Sequence, residues 1–217
     1  MSEGTIGMRS ACTGIVLAGG RSERFGRDKL AEPIAGGTLL DAAVAAVAAV
    51  TSEVVVVVAP DGERSRGERS LGERSLGDAS RIRLTHDPVA FGGPLVGLLA
   101  GLEAAGEPLA LVVGGDMPGL RPAVLALMVA TLAETPEADA VALQDGGRIR
   151  PLPLAVRVGR ATGAALAARA RGARSLHALL DGLRVEGLRE PTWRALDPGG
   201  DTLRDIDRPS DLGTAPD

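Results

Sequence analysis

Residues 17 to 29 (Leu17-Ala18-Gly19-Gly20-Arg21-Ser22-Glu23-Arg24-Phe25-Gly26-Arg27-Asp28-Lys29) gather three glycines and four cations against two carboxylates. Glycines let a backbone approach a ligand and turn N–H groups toward phosphate oxygens, and the cations offset phosphate charge. The spacing is neither a P-loop, since no Lys-Ser/Thr follows the second glycine directly, nor a G-x-G-x-x-G fingerprint. A tight turn with solvated charges would need less Gly and Arg than this, so phosphate binding is the better reading. A second candidate is Gly114-Gly115-Asp116-Met117-Pro118. There Asp116 follows an apolar run and is placed to hold Mg²⁺ against a ligand phosphate. Pro118 and Gly119 separate it from the next helix, which argues against a simple capping role. A third is His86-Asp87 followed by Gly92-Gly93-Pro94-Leu95-Val96-Gly97, a glycine turn into a helix whose N-terminus could face an anion. Taken alone it reads equally well as an ordinary strand-to-helix turn.

These segments need elements to hold them, and the apolar pattern supplies an alternation of strands and helices that predicts a parallel α/β sheet. Strands are expected at Thr13 to Ala18, Val54 to Val58, Ile82 to Thr85, Leu109 to Val113, Asp139 to Leu143 and Leu152 to Val156. Helices are expected at Asp41 to Thr51, Pro94 to Ala105, Pro122 to Glu134, Gly159 to Arg171 and Arg174 to Leu180. Five consecutive valines suit a strand covered on both faces. Each candidate motif then falls at the C-terminal end of a strand, where open α/β sheets bind ligands. No linker interrupts the pattern, so residues 1 to 217 read as one domain.

Composition narrows the classes. Two Phe, one Trp and no Tyr leave no stacking platform for single-stranded nucleic acid, and a net charge of -4 attracts neither nucleic acid nor an acidic membrane. No apolar run reaches the roughly 18 residues of a membrane span. The apolar stretch Ala11 to Ala18 fails as a signal peptide, because glycines and charges follow at once. One cysteine, Cys12, excludes an internal disulfide, and it points to a reducing cytoplasm. With His86 and His177 as the only histidines, multi-histidine metal sites are also excluded. Cys12, His86, His177 and Trp193 are expected to be structural. Residues 62 to 77 repeat Gly-Glu-Arg-Ser units and read as a solvated surface loop, with Arg64, Arg69 and Arg74 each preceded by a Glu that cancels its field.

The three motifs, in this order, resemble the MobA family of molybdenum cofactor guanylyltransferases. The family pattern LAGG-x-S-x-R-M/F-G-x-D-K is matched by Leu17 to Lys29, its D and GPL-x-G by Asp87 and Gly93 to Gly97, and its strand ending in D-M-P by Asp116-Met117-Pro118. Weaker similarity runs through Arg150-Pro151-Leu152, Arg174-Ser175-Leu176 and residues 203 to 212.

The resemblance implies a Rossmann-like, three-layer αβα nucleotidyltransferase domain with a mostly parallel sheet. It implies transfer of GMP from GTP to molybdopterin phosphate with release of pyrophosphate, Mg²⁺ as cofactor, and transient partners in cofactor assembly. On the matched positions, Leu17, Ala18, Gly19 and Gly20 would cradle the nucleotide, Arg24 and Lys29 would serve catalysis at its phosphates, Asp87 would help hold it, and Asp116 would bind it through Mg²⁺. The family's cytidylyltransferases tend to show LAAG at 17 to 20, so this chain favours guanine. The chain departs from the pattern at Ala59-Pro60-Asp61, at Arg150, and at Asp205-Ile206-Asp207-Arg208-Pro209, which replaces Asn-x-Asn-Thr-Pro. Asp205 and Asp207 are candidates for a second metal ligand. Alternatives are a nucleotidyltransferase with another base or acceptor (CTP, a phosphosugar, phospholactate) and a non-catalytic nucleotide-binding paralogue, which would be expected to lack Lys29 or Asp116.

Overall fold

The run Val54 to Val58 serves two cores at once. Val54, Val56 and Val58 pack on one face of the sheet, Val55 and Val57 on the other. Alternation of side chains along a strand makes this unavoidable, and a β-branched run satisfies both faces. The computed structural model describes residues 10–19, 29–34, 37–59, 81–87, 92–208 and 210–211. The five-residue repeat, with Gly20, Arg21, Arg24 and Arg27 of the first motif, lies outside the described residues.

The described strands are β1 (Ser10–Leu17), β2 (Pro33–Ile34), β3 (Gly37–Thr38), β4 (Thr51–Val58), β5 (Ile82–His86), β6 (Leu109–Gly114), β7 (Ala140–Asp145), β8 (Arg148–Arg157) and β9 (Val185–Leu188). The helices are α1 (Leu39–Ala48), α2 (Pro94–Ala104), α3 (Pro122–Glu134), α4 (Val158–Ala170), α5 (Leu176–Leu180) and α6 (Glu190–Arg194). Seven strands form one sheet in the order β5-β4-β1-β6-β8-β7-β9, and β2 pairs with β3 apart from it. β8 is antiparallel to both β6 and β7, while the other pairings in the main sheet are parallel.

Helices α1 and α3 cover one face, with Leu40, Val44, Val47, Leu125 and Met128 against Val16, Val56 and Leu111. Helices α2, α4 and α5 cover the other, with Leu98, Leu102, Ala165 and Leu179 against Ile15, Val55 and Val112. The result is the expected three-layer α/β architecture. The alanines of α4 fit the close approach of a helix to a sheet.

Boundaries shift where side chains decide them. The helix expected from Asp41 begins at Leu39, because Thr38 and Asp41 form a reciprocal capping box. The Asp41 N–H donates to Thr38 Oγ1 at 3.2 Å, and the Thr38 N–H donates to Asp41 Oδ2 at 2.9 Å. The strand expected from Leu152 begins at Arg148, after a turn with Gly146 and Gly147 at φ of 56° and 74°. Pro151 and Pro153 fall in the register break of the β7–β8 ladder, between the pairs Gln144↔Ile149 and Ala142↔Leu154, so neither removes a ladder bond there. Strand β9 and helix α6 are additional to the sequence reading. At the end of α3, the Arg157 guanidinium donates to the carbonyls of Leu132, Thr135 and Ala138, a cation set on a helix C-terminus.

No helix among the described residues is long and apolar enough to cross a membrane. Cys12 and Trp193 are fully buried, as expected of structural residues, and the Trp193 indole N–H donates to Gln144 O at 2.8 Å.

Candidate functional site

The parallel strands β1, β4, β5 and β6 all deliver their C-terminal ends to one edge, and the three motifs meet there. Leu17 ends β1, and its carbonyl accepts the Gly115 N–H at 3.0 Å, which fixes the loop after β6 beside the loop after β1. The Ala18 N–H donates to Val57 O at 2.8 Å, so this amide serves the sheet. Gly19 lies across Ala59: a Cβ there would stand 3.6 Å from Ala59 N.

The loop after β6 turns its side chains to opposite sides. Met117 is buried, its sulfur accepting the Gly114 N–H at 3.4 Å, while Asp116 remains partly exposed. Lys29 Nζ reaches Asp116 Oδ2 at 2.7 Å, Ile206 O at 3.1 Å and Asp207 Oδ1 at 3.4 Å. Burial works against the Lys29 ammonium, yet the Asp116 and Asp207 carboxylates outweigh it and hold its pKa above the ordinary value. Asp205 shifts upward, first because burial penalises its charge and then because the Asp207 carboxylate repels it. The Ile206 N–H donates to Asp116 O at 2.9 Å, and its side chain packs on Leu39. The C-terminal segment is therefore a wall of the site. The sequence reading reached Asp205 and Asp207 there but missed the Ile206 carbonyl, since a backbone acceptor carries no residue-type signal.

Asp87 directly follows β5. Its N–H donates to Val58 O at 2.8 Å, and its carboxylate lies 3.7 Å from the position a Cβ would take on Gly97 in α2. Gly93, at φ 90°, caps α2, and the Leu95 N–H donates to Arg174 O at 3.2 Å. A Cβ on Gly93 would come within 2.9 Å of Arg174 Cβ and Arg174 O. Both the positive φ and the contact require glycine here. His86 stands exposed with Nδ1 3.3 Å from Ala59 O.

The donor set at Asp116 suits a hard divalent cation. Asp116 Oδ2, Asp207 Oδ1 and Ile206 O already surround a positive charge, and all three are oxygens. Among the described residues no group of three or more His, Cys, Asp or Glu is arranged as a metal cage.

The family profile of the MobA-like NTP transferase domain matches residues 14–186. The chain is 32% identical over 207 residues to a probable molybdenum cofactor guanylyltransferase of Chloroflexus aggregans, covering 92% of this chain and 91% of that one. It is 33% identical over 193 residues to a protein of the same description in Mycobacterium avium, covering 84% and 87%. Among solved structures, the molybdopterin-guanine dinucleotide biosynthesis protein A of Archaeoglobus fulgidus superposes with a TM-score of 0.72 at 23% identity, over 94% of this chain and 96% of that one. A nucleotidyl transferase of Methanothermobacter thermautotroptrophicus gives 0.71 at 25% identity, over 94% of each. A nucleotidyltransferase fold, the glycine-lined strand ends and a match spanning most of the sequence agree, and the chain belongs to the MobA-like NTP transferase family.

Proposed function

We propose that this protein is a guanylyltransferase that transfers GMP from GTP to the phosphate of a molybdopterin-type acceptor. The observation that carries the reading is the convergence of Lys29, Asp116 and the Ile206–Asp207 segment at the strand ends. An oxygen of the acceptor phosphate attacks the α-phosphorus of GTP, the bond from that phosphorus to the α,β-bridging oxygen breaks, and pyrophosphate leaves with the electron pair. The attacking phosphate is already ionised, so no histidine base is required. The obstacle is bringing anions together, which positioning and charge neutralisation overcome.

In this reading the backbone of Leu17, Ala18, Gly19 and Gly20 lines the nucleotide. The Ala18 amide is committed to Val57, which leaves the glycine portion to approach phosphate. Lys29 turns its ammonium from Asp116 toward the triphosphate, and Arg24 adds a second cation. Asp87, against the first turns of α2, helps hold the nucleotide. Asp116 would hold Mg²⁺, with Asp207 or Asp205 as a second carboxylate; the ion supplies neutralisation of phosphate charge. The lone, buried Cys12 suits a reducing cytoplasm, where the protein would meet its assembly partners transiently.

The test is thermal stability and turnover with GTP or CTP, Mg²⁺ and molybdopterin. A ligand that binds the native state alone raises the melting temperature. GTP is expected to raise it and to yield pyrophosphate and a guanylylated acceptor. A shift and turnover with CTP alone would replace guanine by cytosine, and no shift with any nucleotide would overturn the enzyme reading.

A further inference from the structure

The segment that brings Ile206 and Asp207 to Lys29 is anchored a few residues earlier by a polar clamp. Asp197, its side chain 1% exposed, accepts the Thr202 N–H at 2.7 Å and closes the turn before the segment. Buried Thr202 bonds Asp197 through its hydroxyl as well, and its hydroxyl oxygen accepts the Arg121 backbone N–H at 3.2 Å. The Arg121 guanidinium then reaches Asp201 Oδ2 at 2.6 Å, with Asp197 Oδ1 3.8 Å away. Asp201 lies so close over Gly119 that a Cβ on the glycine would stand 2.5 Å from Asp201 O. Arg121 belongs to the loop that carries Asp116, and Asp201 to the segment that carries Asp207. One guanidinium thus ties together two strips of chain that both contact Lys29.

We propose that Arg121 is a positioning residue for the reaction, holding the 205–207 segment in register with Asp116 through Asp201 and Thr202. The inference rests on the guanylyl-transfer reading. Arg121 touches neither Lys29 nor Asp116. Its effect travels through three links: Arg121 to Asp201 and Thr202, the short run to Ile206, and Ile206 to Asp116 O and Lys29 Nζ. Loosening the first link leaves the hydrophobic seat of Ile206 on Leu39 but frees the chain to shift along it. Shifts of that size at reacting phosphates reduce rate more than binding.

Lys29 is the only lysine in the sequence, so its acylation by an amine reagent, read by peptide mass, reports the clamp without any turnover. The variants are Arg121→Ala, Thr202→Val and, as the conservative control, Thr202→Ser. Arg121→Ala and Thr202→Val are expected to lower kcat about tenfold. The KM for GTP should stay within about twofold. Lys29 labelling should rise at least about threefold as the segment opens. Thr202→Ser keeps the acceptor and should retain wild-type rate and labelling. The melting temperature of Arg121→Ala should fall by only about 3 °C, as for a partly exposed ion pair, and that of Thr202→Val by up to about 10 °C, because buried partners lose a bond. Should Thr202→Val fail to fold, the half-exposed Arg121→Ala carries the test alone. Wild-type kcat and labelling in folded Arg121→Ala would overturn the proposal, as would equal losses in Thr202→Ser and Thr202→Val at matched melting temperatures. A wild-type protein that transfers no GMP would overturn the activity reading only, and Lys29 labelling would still decide the clamp.

Discussion

The Lys29 ammonium, at the start of a short 3-10 turn, and the Asp116 carboxylate, just past the end of β6, are 87 positions apart in sequence and lie 2.7 Å from each other. Each is a counterion of the other, with side chains only 18% and 26% exposed. In the proposed reaction a nucleotide with its metal would separate them, drawing the ammonium to phosphate and leaving the carboxylate to the cation. The pair keeps two opposite charges ready without leaving either alone.

Asp116→Asn separates the two roles the carboxylate could have. Asn has the same shape and caps turns as well as Asp does, so stability should fall by about 1 kcal/mol or less. Mg²⁺-dependent turnover should fall by at least about a hundredfold, since the metal's protein ligand loses its charge. Steady-state rates across a Mg²⁺ titration, with a denaturation curve beside them, decide it. Wild-type turnover at ordinary Mg²⁺ would remove Asp116 from the metal site.

Gly93→Ala tests the helix entrance. The new Cβ meets Arg174 Cβ and O at a φ of 90°, so the turn or the Arg174 backbone must move. The cost should be about 1–3 kcal/mol, read from urea unfolding. Displacing Arg174 O from the Leu95 N–H also disturbs the first turn of α2, and the GTP-induced rise in melting temperature should shrink. An alanine variant as stable as wild type would show that the turn can relax freely.

Much of this site can be read from residue types, because glycine, lysine and aspartate are scarce in apolar strands and their positions at strand ends stand out. The parallel core was equally legible in the valine runs, which alternation splits between two faces. The Thr38–Asp41 capping box was not read, since its two members looked like a loop residue and the first residue of a helix. The strand expected from Leu152 in fact begins at Arg148, and the irregularity that accommodates Pro151 and Pro153 lies within β8 itself, where four residues between Ile149 and Leu154 oppose one between Ala142 and Gln144. The clamp at Arg121 was invisible for a simpler reason. It joins residues 81 positions apart through a backbone N–H and a threonine oxygen, and no local pattern encodes such a meeting.

Cys12 should be silent toward thiol reagents in the native protein. It is fully buried, and burial together with the Glu107 charge pushes its pKa up to about 12, so almost no thiolate exists at pH 8. Modification should therefore proceed only through opening, and its rate should fall when GTP and Mg²⁺ are added. Full labelling within minutes under native conditions would contradict the buried position.

Acid stability should depend on Asp139. Arg184 donates to it from its side chain and from its backbone N–H, and these bonds lower its pKa from 3.8 to about 2. The folded pKa is depressed, so the unfolded chain takes up the proton first. The stabilisation is present above about pH 4 and lost as pH falls toward 2. Water screens the exposed Arg184 guanidinium, so the contribution stays modest. Asp139→Asn should flatten that part of the stability-against-pH curve, and unchanged acid dependence would show that the pair contributes nothing.

Strand order has a further consequence, for the moment of synthesis. β1 leaves the ribosome first, yet one of its two neighbours is β6, paired from Thr13↔Ala110 to Leu17↔Gly114. At about 5–20 residues per second, β1 waits several seconds with an unpaired side. Pairings so distant in sequence also make for slow folding. The segment from Asp197 to Asp207 emerges later still. A nascent chain can thus complete most of its sheet before Asp207 and Ile206 reach Lys29, and nucleotide binding should be acquired last. Truncation before Asp197 would yield a largely folded protein that has never had the last wall of its site.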